Sequence, residues 1–152
     1  MACDYCCFVD GSWISLANRT GIGWVLYNKN AKFVLRGMAS ISPLGTPIEV
    51  EAEALRMAMV HLKRLGYHRV TFCGDNSVLF QNINVLSDTQ QQQCWEYSSI
   101  STHLQDIQYL AQSYNQVSFF KVPRVVNNVA DRLAKFARLN NLGLVISWND
   151  VS

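Results

Sequence analysis

The hydrophobic pattern first changes period near residue 49, where a run of strands gives way to helices alternating with strands, and that change decides the class of fold. Before it, residues 6–14 (CCFVDGSWI), 22–28 (IGWVLYN) and 32–40 (KFVLRGMAS) are rich in β-branched and aromatic residues. The turn residues Asn18-Arg19-Thr20-Gly21 and Asn28-Lys29-Asn30 separate these runs, which predicts three antiparallel strands in a meander. After the change, apolar residues fall at 54, 55, 58, 59, 62 and 65, the stripe of an amphipathic helix over 49–65, ended by Gly66. Residues 69–74 (RVTFCG) predict a fourth strand, parallel to its partner in the meander because a helix crosses between them. A short helix at 76–86 follows. Beyond the polar break Ser87-Asp88-Thr89 and the run Gln90 to Gln93, a longer helix is predicted at 94–114, with Leu104, Ile107, Leu110 and Ala111 on one side. A strand at 117–122 (VSFFKV) stops at Pro123, and a last helix covers 128–140. The order β-β-β-α-β-α-α-β-α predicts an α/β fold: a five-stranded mixed sheet, three antiparallel strands then two parallel, flanked by helices.

With 152 residues, 49% hydrophobic and 16% charged, the chain has the length of one domain spanning 1–152, its core about 6–140. No stretch reaches the roughly 18 apolar residues of a membrane span, and the start MACDYCCFVDGSW lacks the layout of a signal peptide. A soluble, intracellular protein with no membrane partner is expected, acting as a monomer. The cysteines at 3, 6, 7, 73 and 94 show no paired zinc spacing and read as reduced thiols, Cys73 as a core residue. The formal charge of +2 is small for a nucleic-acid binder. Setting aside four acids assigned below to one site leaves 13 bases against 7 acids, an excess that suits a phosphate backbone and equally an ordinary mixed surface.

Those four acids stand out by position. Asp10 lies inside an apolar strand directly before Gly11-Ser12, where an unpaired charge is costly. Asp75 sits where the fourth strand ends and a helix begins, the edge at which open α/β sheets gather ligands; alone it reads equally as a helix N-cap. Among the acids of the first helix, Glu51 precedes Ala54, Leu55 and Ala58 by three, four and seven residues, so it shares the buried stripe. Glu53 shares its face with Arg56 and is expected on the solvated side. Asp131 falls in the first turn of the last helix, where the helix dipole favours an acid without any function.

Taken together, Asp10-Gly11-Ser12, Gly21-Ile22-Gly23-Trp24-Val25-Leu26, Glu51-Ala52-Glu53-Ala54-Leu55, Gly74-Asp75-Asn76 and the tail Val122-Pro123-Arg124 with Asn127 and Ala130-Asp131-Arg132-Leu133-Ala134-Lys135 resemble the type 1 ribonuclease H family. The tail is especially similar to the reverse-transcriptase-like ribonuclease H domains abundant in plants. The resemblance runs over about residues 6 to 140. It implies that Asp10, Glu51, Asp75 and Asp131 bind two magnesium ions, with manganese as an alternative, and cut the RNA strand of an RNA/DNA hybrid. In the family's mechanism one ion activates the attacking water and the other steadies the leaving 3′ oxygen, giving 5′-phosphate and 3′-hydroxyl ends. It also implies that Gly11, Ser12, Asn76, Arg124 and Asn127 contact substrate, the 2′-hydroxyl being displayed in the hybrid's minor groove. Of the tryptophans, Trp24 reads as core, while Trp13 and Trp95 are open to a stacking role.

Two features depart from the family pattern. Bacterial members carry a proton-transferring histidine in the loop before the last helix; here Pro123 to Asn128 contains none, and Arg124 is the nearest polar substitute. The chain also has no Lys or Arg from Val70 to Phe120, where many members carry a basic protrusion, so affinity falls to Arg19, Lys29, Lys32, Lys121, Arg124 or a partner. Two rival readings therefore stand beside the nuclease: a binding module that kept the fold without cutting, and a resolvase- or integrase-like DNA cutter on the same scaffold.

Overall fold

A computed structural model describes residues 3–89 and 99–149. Ten elements follow in order: β1 Tyr5–Ser12, β2 Thr20–Asn28, β3 Phe33–Ile41, α1 Pro47–Arg64, β4 Arg69–Gly74, α2 Ser77–Thr89, α3 Ser101–Gln112, β5 Gln116–Lys121, α4 Asn128–Asn140 and β6 Val145–Trp148. They form one sheet in the order β5-β4-β1-β2-β3-β6. β1 to β3 make the antiparallel meander, and β4 and β5 join parallel to β1 and to each other, as the crossing helices require.

Alternation along the strands divides the sheet between two helical layers. Cys7, Val9, Ile22, Trp24, Leu26 and Leu35 face α1, whose Ala54, Leu55, Ala58, Met59 and Leu62 are fully buried in the same core. Leu104 and Ile107 of α3 close this layer. Trp24 lies wholly inside, stacked on His61 of α1 with ring centroids 5.7 Å apart, as its strand position predicts. On the other face Val25 and Met38 pack against Leu133 and Ala137 of α4. That helix sits close because β2 offers glycines beneath it: a Cβ on Gly21 would run into the Ala134 carbonyl, and one on Gly23 would meet the Ala130 carbonyl oxygen at 2.8 Å.

Several boundaries differ from the sequence reading. The sheet gains a sixth strand, β6, antiparallel to β3. It is four residues long and largely exposed at a sheet edge, too short for a period-2 pattern to declare itself. β1 ends at Ser12, so Trp13 leaves the strand, half-buried, and donates its indole N–H to the Leu44 carbonyl at 2.8 Å. Helix α2 runs on to Thr89, through the Ser87-Asp88 expected to break it. The longer helix begins at Ser101 among the described residues. The rest of its predicted start at 94–98, the glutamine run, Cys94 and Trp95 lie outside them. Cys73 is buried as expected, and Cys3, Cys6, Cys7 and Cys73 are free thiols. Among the described residues no helix is long and apolar enough to cross a membrane.

Candidate metal centre

The four acids arrive at one edge of the sheet by different local routes. The parallel register of β1 and β4 ends at the pair Phe8 and Cys73. Asp10 and Asp75 stand two residues further on along each chain, side by side at the carboxyl edge of the two parallel strands. Glu51 projects from the second turn of α1, on the stripe that carries Ala54 and Ala58, and accepts the Gly11 N–H at 2.5 Å. A Cβ at Gly11 would collide with Val50 and meet Glu51 Oε1 at 2.9 Å, so only glycine lets α1 approach β1 this closely. Oxygen atoms of Asp10, Glu51 and Asp75 lie within 4.8 Å of one another.

Asp131, in the first turn of α4, lines the same cavity but stands outside that trio. Its Oδ2 is paired with Lys135 Nζ at 3.1 Å, one helical turn on. It lies near enough to Asp10 to help raise that carboxyl's pKa. The cavity measures about 470 Å³, and its wall includes Gly11, Ser12, Asn76, Arg124 and Lys135 besides the four acids. A larger trough of about 860 Å³ opens on the α4 side of the sheet, but no carboxylate lines it.

Crowding shows in the electrostatics. Burial, with the neighbouring Asp75 charge adding to it, pushes Asp10 up to about 7, even though Glu51 hydrogen-bonds to it. Burial and the adjoining Asp10 raise Glu51 well above the ordinary carboxylate range. These groups favour either a retained proton or a bound cation, and hard oxygen donors of this kind suit magnesium or manganese.

The remaining expected site residues divide into three kinds. Asn76, not Asp75, caps α2: its Oδ1 accepts the Leu79 N–H at 2.9 Å. The capping reading of Asp75 is thereby excluded, and Asp75 instead lines the cavity. Ser12 lines the cavity but is 7% exposed, and its hydroxyl accepts from Arg138 Nε at 2.9 Å. Arg124 is 89% exposed on the rim, its Nε 3.8 Å from Asp75 Oδ2. Asn127, expected to touch substrate, is fully buried. Its Nδ2 donates to the Val9 carbonyl at 2.8 Å, tying the start of α4 to the residue before Asp10.

Glu53 also departs from expectation. It is half-buried rather than solvated: α3 partly covers it, and its carboxylate accepts from Arg56 Nη2 at 2.7 Å and pairs with His103 Nε2 at 3.1 Å. Sequence reasoning missed Lys135 as a member of the site. The signal was present, since a basic residue four after Asp131 must share its face.

A mixed sheet with its meander, parallel extension and acidic carboxyl edge defines an α/β protein of the ribonuclease H-like class. The chain belongs to the reverse transcriptase-like family, whose sequence model matches residues 8–137. Its fold is that of type 1 ribonucleases H. The ribonuclease H1 of the halophilic archaeon Halobacterium salinarum superimposes with a TM-score of 0.78 at 22% identity, covering 90% of this chain and 98% of the other. LC11-RNase H1, isolated from compost by a metagenomic approach, was solved in complex with an RNA/DNA hybrid. That structure gives a TM-score of 0.75 at 18% identity over 90% of this chain and 97% of its own. The N-terminal ribonuclease H domain from Mycobacterium tuberculosis gives 0.75 at 18% identity, over 92% and 96%. Among proteins of curated function no match is found.

Proposed function

We propose that this chain is a divalent-cation-dependent endonuclease that hydrolyses the RNA strand of RNA/DNA hybrids. The observation that carries the reading is the convergence of Asp10, Glu51 and Asp75, from β1, α1 and the end of β4, to within 4.8 Å. Asp10, Glu51 and Asp75 would hold the first magnesium or manganese ion, and Asp131 would complete the set for a second. Such ions supply charge neutralisation at the scissile phosphate and a water acidic enough to attack it.

The chain's own residues do the rest. Gly11 gives its N–H to Glu51 and, lacking a Cβ, lets α1 bring that carboxylate up to Asp10. Asn76 lines the cavity with its Oδ1 spent on the α2 cap, which leaves its amide N–H groups to donate to a ribose hydroxyl of the wide minor groove. Arg124, exposed beside Asp75, offers a guanidinium to an entering phosphate. Ser12 and Asn127 act at one remove: the first anchors Arg138, the second fixes α4 on β1.

Incubation of the protein with labelled RNA/DNA hybrid, duplex DNA, duplex RNA and single strands, in magnesium or manganese, tests the reading. Cleavage is expected in the hybrid's RNA strand alone, ending in 5′-phosphates, and Asp75→Asn should abolish it, a loss on the order of a hundredfold or more. Hybrid binding without cleavage would leave the non-cutting module, the alternative that the histidine-free segment Pro123 to Asn128 favours. Cleavage of duplex DNA would point to the DNA-cutting rival.

A further inference from the structure

Each outer acid of the cavity already faces a basic group, and the two pairs are unequal. Arg124 lies 3.8 Å from Asp75 with its side chain 89% exposed, a loose contact. Lys135 lies 3.1 Å from Asp131, is carried on the same helix one turn away, and itself lines the cavity. Asp131 is also the proposed ligand whose carboxylate stands outside the three-acid cluster. Four carboxylates carry four negative charges; one divalent ion with Lys135 and Arg124 brings four positive ones. A second divalent ion then enters an already neutral site, unless a phosphate arrives or a resident cation leaves. A lysine suits departure: a compact charge on a flexible stem, here 56% exposed.

We propose that Lys135 is a built-in counter-ion for Asp131 that competes with the second divalent cation and yields its place by moving onto a phosphate of the bound nucleic acid. The inference rests on the metal-dependent reading above. It assigns the two cations different strengths: a firm one at Asp10, Glu51 and Asp75, and a weak one at Asp131 until substrate binds.

Titrating the nucleic-acid-free protein with magnesium by calorimetry, and with manganese by electron paramagnetic resonance, tests this without any turnover. The wild type should show one cation per chain and a much weaker second step. Lys135→Met and Lys135→Gln should each tighten the second step on the order of tenfold, as loss of a partly exposed competing charge allows, and leave the first unchanged. Lys135→Arg, which keeps the charge, should return the second step to its wild-type weakness. An unchanged second step in both neutral variants, or a Lys135→Arg protein that behaves like Lys135→Met, overturns the counter-ion role while the first step still upholds the cation site. Absence of any cation binding in the wild type overturns the underlying reading as well.

Discussion

Asp10 occupies a position where stability and chemistry pull apart. It is 5% exposed in a central strand, beside two further carboxylates, and burial is the largest cause of its raised pKa. Between about pH 4 and 7 the folded carboxyl keeps a proton that the unfolded chain has lost. The folded state therefore binds more protons across that window, and the cation-free protein loses stability as pH rises through it. Asp10→Asn removes the ionisable group at nearly constant volume. At pH 8 with chelator it should melt above the wild type by a few degrees, about 1–3 kcal/mol, a gap that narrows toward pH 5. Saturating magnesium should stabilise only the wild type. A cation-free variant that melts below the wild type at pH 8 would show that Asp10 contributes packing rather than repulsion. At this scale much was legible in the sequence: the three-residue step from Glu51 to Ala54 separates it from Glu53, and an acid between Val9 and Gly11 in an apolar run announces a partner. The choice between Asp75 and Asn76 as helix cap was not legible, because both are capping residues and only the Asn76 bond to Leu79 distinguishes them.

Elements, more than single residues, escaped the sequence where their neighbours decided them. Helix α1 begins at Pro47, capped by Thr46, whose hydroxyl accepts the Glu49 N–H at 3.3 Å and donates to Glu49 Oε1 at 3.0 Å. Thr46-Pro47 and Glu49 form a capping signal that the apolar stripe alone passes over. Glu53 was misplaced for a different reason: its period gives the face shared with Arg56, but only the docking of α3 turns that face inward. The pair with His103 pins α3 to α1, and hydrogen bonds from Arg56 and His103 hold Glu53 down to about 2 against the opposing effect of burial. A depressed carboxylate contributes stability that is present above its unfolded pKa, near 4.5, and is lost as pH falls toward 2. Glu53→Gln should thus cost about 1–2 kcal/mol in urea unfolding at pH 7, since partial exposure screens the pairs. The difference from wild type should fade between pH 4.5 and 2. A difference that persists unchanged at pH 2.5 would assign the loss to packing instead.

For the molecule as a whole, the sheet's topology decides which basic residues can reach a substrate lying across the acids. Tyr5 pairs with Asn28, so the β2–β3 turn holding Lys29 and Lys32 lies at the end of the sheet opposite Asp10. Arg19 is occupied by Ser40, which accepts from its Nε at 2.8 Å and through its carbonyl from Nη2 at 2.9 Å. Of the five basic residues named from sequence, Arg19, Lys121 and Arg124 lie at the Asp10 end of the sheet, and with Arg19 held by Ser40 the other two are left to meet substrate, Lys121 paired in register with Gly74 just before Asp75. Lys135 joins them from α4. The sequence could count these charges but not sort them by end, because that sorting follows from strand order and direction. About three phosphate contacts imply a shallow salt dependence of hybrid binding, a log–log slope near −3. Measured by fluorescence anisotropy in calcium, which supplies a divalent ion while avoiding turnover, Lys121→Gln with Arg124→Gln should flatten that slope to about −1. Lys29→Gln with Lys32→Gln should leave both slope and affinity where they were. A slope that flattens in the second pair and not in the first would mean that the nucleic acid crosses the sheet at its other end, away from Asp10, Glu51 and Asp75.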